Sequence, residues 1–246
     1  MIIENFWIYI ALAITSLINI LIPISGSAII TPFLAILTDP HTAIALASFF
    51  FFLGSIVRAF IFRREIKWKY VRSLLPLSFI GAIIGALALV KINTQILLII
   101  ILIFTAYFFY KKFQTLRKNE EKPTNKLTIH SIGLLSGFLQ GTGLTGSDLR
   151  NSYLFSERLN LPQVHGTTAL IGATNFFIAT IMRLLTYQIT IPNLIPLLYV
   201  FPFIIVGTWT GKKLLYKINK KYADVLIIII MILILFFLAL KIVNII

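Results

Sequence analysis

The sequence predicts an all-α, polytopic membrane protein, and three observations carry that prediction. Of 246 residues, 59% are hydrophobic and only 12% charged, whereas a soluble domain charges about a quarter of its residues to keep its surface wetted. Uncharged runs long enough to cross about 30 Å of hydrocarbon recur at 73–90, 93–110, 192–211 and 225–240. These runs are continuous Ile, Leu and Phe, without the alternation of a transmembrane β-barrel strand.

Charge and composition narrow the class further. The net charge of +14 comes from basic residues in short loops between apolar runs. That pattern sets orientation in a bilayer and does not build a nucleic-acid face. The chain has no cysteine, which removes disulfides, thiol catalysis and thiolate metal sites. No cofactor and no metal are expected. The opening MIIENFW has no basic segment followed by a short apolar run and a small-residue cleavage site, so it reads as part of the mature protein.

A duplication organises the elements. Ser25-Gly-Ser27 recurs as Thr145-Gly-Ser147, His41-Thr-Ala as His165-Gly-Thr, and Ala45-Leu46 as Ala169-Leu170. Gly81-xxx-Gly85 recurs as Gly207-xxx-Gly211, and Lys91-Ile-Asn93 as Lys217-Ile-Asn219, in the same order and at an offset of roughly 120 positions. The basic loops then give each copy its direction. Residues 63–72 carry five basic side chains, while the matching 187–192 carry none. Conversely, 91–94 carries only Lys91, while 212–221 carries five lysines and the joining loop 111–126 six basic residues. The positive-inside rule places 63–72, 111–126 and 212–221 in the cytoplasm, and 39–41, 91–94, 187–192 and both termini outside. Equivalent loops fall on opposite sides, which predicts two inverted-topology repeats.

Taken in order, repeat one (1–112) has a leading segment 5–38 and spans 42–63, 73–90 and 94–111. Residues 5–38 are uncharged throughout, and as one helix would run about 51 Å, too long for a single crossing. A linker follows at 113–126. Repeat two (127–246) has a leading segment 127–158 and spans 163–186, 192–211 and 222–243. Each leading segment is interrupted midway, at Pro23 to Ser27 and at Gly141 to Ser147. Each must also start and end on the same side, so each is expected to be a broken or re-entrant hairpin. Gly, Ser and Thr suit a chain that leaves helical geometry. Such backbone survives at membrane depth only where protein or water surrounds it. Two related breaks facing each other near the midplane would offer spare N–H groups and positive dipole ends to an anion.

On these features the chain resembles the TauE/SafE family, also called the sulfite exporter or toluene-sulfonate uptake permeases. The features are the duplicated Gly/Ser-containing breaks with Pro32 after the first, His165-Gly-Thr-Thr168, and the Gly81-xxx-Gly85 helix. The resemblance covers nearly the whole chain. It implies a permease for a small sulfur-containing anion such as sulfite, thiosulfate or a sulfonate, run by protons or another coupling ion.

Candidate site residues follow from the breaks. Ser25, Gly26, Ser27, Gly143, Thr145, Gly146 and Ser147 would meet substrate through hydroxyls or backbone, or merely satisfy freed carbonyls. Arg150 would neutralise an oxyanion, with Asp148 steering it or carrying a proton; the alternative is that both cap the second half-helix. Thr167 and Asn175, with Thr168 and Thr174, either line a cavity or tie helices together. His41 and His165 are a protonatable pair if they serve coupling, and interfacial helix-start residues if they do not. Arg58 and Arg183 read as snorkelling side chains. Two other classes compete with a transporter. An intramembrane enzyme acting on a lipid phosphate would need acid/base or nucleophilic groups clustered at the breaks, and no HExxH or GxSxG is present. A passive anion channel would conduct without coupling.

Overall fold

The computed structural model describes residues 27–118, 129–144, 146–186, 188–214 and 220–245. The expectations for Ser25, Gly26 and Thr145 lie outside these residues, as does most of the leading segment 5–38. The described residues form ten α-helices: α1 (Ser27–Leu37), α2 (Pro40–Ile61), α3 (Trp68–Ala88), α4 (Thr94–Lys118), α5 (Ile129–Gly141), α6 (Ser147–Ser156), α7 (Leu161–Leu185), α8 (Ile191–Leu198), α9 (Phe201–Leu214) and α10 (Lys220–Ile245).

Local chemistry sets the starts and stops. Asp39 caps α2 by accepting from the backbone N–H of His41 (3.0 Å) and Thr42 (3.1 Å), and Pro40 sits where no N–H is needed. At α7, Asn160 and Gln163 form a reciprocal capping box, each side chain accepting the other's backbone N–H at 3.0 and 3.2 Å. One expected span is not continuous. Residues 192–211 divide into α8 and α9 at Tyr199–Val200, because Pro202 has no N–H to return to Leu198 and the chain turns there instead.

Among the described residues, three helices are long and apolar enough to cross a membrane: Pro40–Ile61, Trp68–Lys91 and Leu161–Leu185, with mean hydropathies of 2.1, 2.3 and 1.5. Shorter apolar stretches lie within α1, α4 and α10. Large apolar side chains such as Phe60, Phe203, Trp209, Phe236 and Val243 point outward. A water-facing surface would not tolerate that much exposed hydrocarbon, and a lipid-facing one requires it.

The loops sort to two ends of the bundle. At one end, the Lys212 ammonium donates to Ile61 O (3.2 Å) and lies over the Phe62 ring, the Lys67 N–H donates to Thr167 Oγ1 (3.0 Å), and the Tyr70 hydroxyl donates to Glu157 (3.0 Å). At the other, His41 Nε2 hydrogen-bonds Ile92 O (3.1 Å) and the Lys241 ammonium donates to Ala35 O, Ile36 O and Thr38 O. Helices α2 and α7 pack along each other through the middle, where Phe51 meets Phe176 with ring centroids 5.3 Å apart.

The Lys241 contacts tie the carbonyl end of α1 to the last helix, satisfying acceptors that a helix C-terminus leaves open. Lys241→Met is expected to cost about 1–2 kcal/mol, read as a lower unfolding midpoint of the detergent-solubilised protein. An unchanged midpoint would mean that the three carbonyls find other donors at no loss.

Candidate functional site

The second break is built on an unusually close helix pair. Gly81 and Gly85 on α3 face Gly133, Gly137 and Gly141 on α5, and a Cβ at Gly137 would lie 1.9 Å from Ser78 O. A Cβ at Gly81 would lie 2.2 Å from Leu134 O, so the two backbones touch directly. Small residues at four-residue spacing permit this approach on both helices.

Helix α5 ends where its hydrogen bonding reverses. The Gly143 N–H returns to Gln140 O (3.0 Å) and the Leu144 N–H to Leu139 O (2.8 Å), while Gly143 adopts φ 76°. This is the Schellman arrangement, which places glycine at the left-handed position. Glycine is required there twice over, since a Cβ would also lie 2.3 Å from Ile44 Cγ2. After Gly146 the chain re-enters helix as α6 and returns along α5. Gly146 packs so closely that a Cβ would sit 1.9 Å from Ser136 O. Residues 129–156 therefore run as α5, a turn and α6. Helix α1 approaches this turn: the Thr31 hydroxyl donates to Gly143 O at 3.2 Å, and Ala28, Thr31, Thr105 and Leu144 line one narrow crevice.

The return limb carries Arg150 into the interior, with no exposed surface at all. Its Nη1 donates to Gln140 Oε1 (2.9 Å) and Ser136 Oγ (3.2 Å). Gln140 Oε1 also accepts from Asn175 Nδ2 (2.7 Å), which lies 2.6 Å from Ser78 Oγ. Four helices, α3, α5, α6 and α7, thus meet in one polar layer. Arg150 Nε and Nη2, the two donors along one edge of the guanidinium, have no hydrogen-bond partner among the described residues. Asp148 is close enough to attract Arg150, and Arg58 on α2 close enough to repel it. A buried guanidinium with a bare edge is costly in a membrane interior, so its retention points to a task.

The other candidates separate. Gly143, Gly146 and Arg150 belong to the break and the layer below it, with Asn175 joined through Gln140. Ser147 begins α6 on the same turn, and Ser27 begins α1. Thr167 does not join them: it lies two turns from Asn175, where it receives the Lys67 N–H at the basic end. Thr168 and Thr174 return their hydroxyls to Val164 O and Leu170 O in their own helix. His41 and His165 do not form a pair. His41 starts α2, while His165 stacks on Phe62 just beyond its other end (centroids 5.6 Å apart), a separation of about 30 Å along the helix. Arg183 does not snorkel. It is fully buried and its Nη2 donates to Gly141 O.

Ser78, Ser136 and Gln140 escaped the sequence reading, and Arg183 was read there as a snorkelling side chain. Their signal is present but quiet: Ser136, Gln140 and Arg183 fall on the helix faces that also carry Gly133, Gly137, Gly172 and Asn175, so polar and tiny residues share a stripe.

A helical bundle with apolar, lipid-facing sides and helices long enough to cross a bilayer defines a multi-pass membrane protein. The chain belongs to the sulfite exporter TauE/SafE family, whose family model matches residues 8–241. The family's function is exporter-type transport of sulfite and related sulfur anions. Comparisons with curated proteins and with solved structures return no match.

Proposed function

We propose that the protein is a secondary transporter that carries a small sulfur-containing oxyanion between two inverted repeats, with Arg150 as its cationic contact. The observation that carries the reading is the Nε/Nη2 edge of Arg150, buried and without a partner among the described residues. That edge matches two oxygens of a sulfite, thiosulfate or sulfonate group in a bidentate pair. The start of α6, which has no side-chain cap, adds backbone donors at a favourable helix end. The helix order supports the repeat: α1, α2, α3 and α4 correspond to α6, α7, α8 with α9, and α10. The equivalent residues His41 and His165 sit at opposite ends of the bundle, as a half-turn in the membrane plane requires. The end that holds Lys67 and Lys212 faces the cytoplasm.

Purified protein in liposomes should take up labelled sulfite, thiosulfate or a sulfonate faster than empty vesicles, and an imposed pH or ion gradient should change the accumulated level. Uptake that only dissipates the anion gradient would indicate a channel, and release of phosphate from lipid would indicate an enzyme. For the topology, Asn160→Cys should be labelled by an impermeant reagent only from the cytoplasmic face; labelling from outside alone would reject the inverted layout.

A further inference from the structure

The polar layer holds a second bare group, and its chemistry is the opposite of Arg150's. A guanidinium only donates, so the Gln140 atom 2.9 Å from Arg150 Nη1 is the amide oxygen. That oxygen only accepts, so the Asn175 atom 2.7 Å from it is the amide nitrogen. The same nitrogen lies 2.6 Å from Ser78 Oγ, which takes its other hydrogen. The orientation of Asn175 is thereby fixed, and its Oδ1 is left as a pure acceptor. Asn175 has no exposed surface, and this oxygen has no hydrogen-bond partner among the described residues.

The two bare groups are neighbours, because Arg150 and Asn175 both bond one atom, Gln140 Oε1. Ordinary bond lengths and those two contacts keep Asn175 Oδ1 within about 10 Å of Arg150 Nη2, and any bend at Gln140 brings them nearer. A small oxyanion with a hydrogen bond on either side spans about 8 Å, so one guest can meet both. Such a guest needs oxygens for the Arg150 edge and a donor for Asn175. A guest that only accepts would leave a buried amide oxygen unmet, which is costly away from water. The sulfite dianion, thiosulfate and a simple sulfonate only accept. Hydrogensulfite accepts through its oxygens and donates its acidic proton.

We infer that the site takes a singly charged oxyanion carrying its own proton donor, hydrogensulfite among the sulfur anions, and that Asn175 Oδ1 receives that donor. This rests on the transporter reading above and names the protonation state of its substrate. The proton then crosses with the anion.

The test sets sulfamate against methanesulfonate at one pH and ionic strength. Both are tetrahedral monoanions of similar size, and they differ in an amino group that donates against a methyl group that does not. Each competes with labelled sulfite for uptake by the full chain in liposomes, as wild type and as Asn175→Leu. Sulfamate should inhibit the wild type at about one-tenth of the concentration that methanesulfonate needs, because a buried acceptor left unpaired discriminates strongly. Asn175→Leu should bring the two concentrations together. A wild type that does not separate the anions, or that prefers methanesulfonate, would overturn the inference and leave the transporter reading standing. An Asn175→Leu protein that keeps the preference would also overturn it, reducing Asn175 to a link that holds Gln140. If labelled sulfite is not taken up by the wild type, the transporter reading falls and takes the inference with it. Should Asn175→Leu fail to fold, the wild type still decides: sulfamate should raise its unfolding midpoint in detergent more than methanesulfonate does, and equal or reversed shifts would contradict the proposal.

Discussion

Gly137→Ala is expected to unfold the protein at a markedly lower temperature and to abolish uptake. The added methyl would lie 1.9 Å from Ser78 O, 2.6 Å from its carbonyl carbon and 2.7 Å from its Cα. All three atoms are backbone, so no rotamer change relieves the clash and α3 must move away from α5 by about 1 Å or more. Overpacking of this kind costs about 1–3 kcal/mol, occasionally more. Separation would also loosen the neighbouring contacts at Gly81, Gly85 and Gly141. Function suffers for a further reason: Ser78 holds Asn175, Asn175 holds Gln140, and Gln140 holds Arg150. Gly54→Ala on α2 is the matched control, since its methyl would meet only Ile204 Cγ2 at 3.9 Å. Thermal unfolding in detergent separates the two, and a Gly137→Ala protein that melts with the control would disprove direct backbone contact.

Arg150→Met should do the opposite, sparing the fold while removing transport. Its loss leaves each hydrogen-bonding group it touches with another partner. Gln140 Oε1 keeps Asn175 as a donor, and the Ser136 hydroxyl keeps its own bond to Gly133 O at 3.0 Å. Replacing a buried charge by an apolar side chain of similar reach is often neutral or stabilising, so the unfolding midpoint should hold or rise. Uptake should fall about 100-fold, the equivalent of roughly 2.8 kcal/mol of lost interaction with the anion. Arg150→Lys keeps the charge but not the two-donor edge, and should recover only part of the rate. Wild-type uptake by Arg150→Met would move the anion site elsewhere in the bundle.

Several features were legible in the residues before any coordinates. Gly141 to Ser147 was readable as a break because three glycines interrupt an apolar run, and the chain does leave helix there. Gly81-xxx-Gly85 was readable as a packing face, although its partner was not: Gly133, Gly137 and Gly141 are spaced for it, yet spacing names no neighbour. The threonines at 167, 168 and 174 misled, because adjacency along a helix resembles a cluster, whereas Thr168 and Thr174 return their hydroxyls to their own helix and Thr167 lies two turns from Asn175 and bonds Lys67. Arg183 misled for a related reason. A basic residue near a helix end ordinarily reaches for the interface, and only the position of Gly141 O shows that this one turns inward. The division of residues 192–211 was implicit in Pro202, but the length of the apolar run outweighed it.

By itself the sequence determined that the chain lives in a bilayer, that it breaks between Gly141 and Ser147, and which loops are basic. Those are properties of composition and of order along one dimension: hydrocarbon tolerates few charges, glycine frees the backbone, and lysines resist crossing. Only the tertiary structure decided that Arg150, Gln140, Asn175 and Ser78 form one layer while Thr167 and His41 stand apart. Hydrogen bonds act over about 3 Å, and four helices far apart in the chain must pack side by side before any such distance exists.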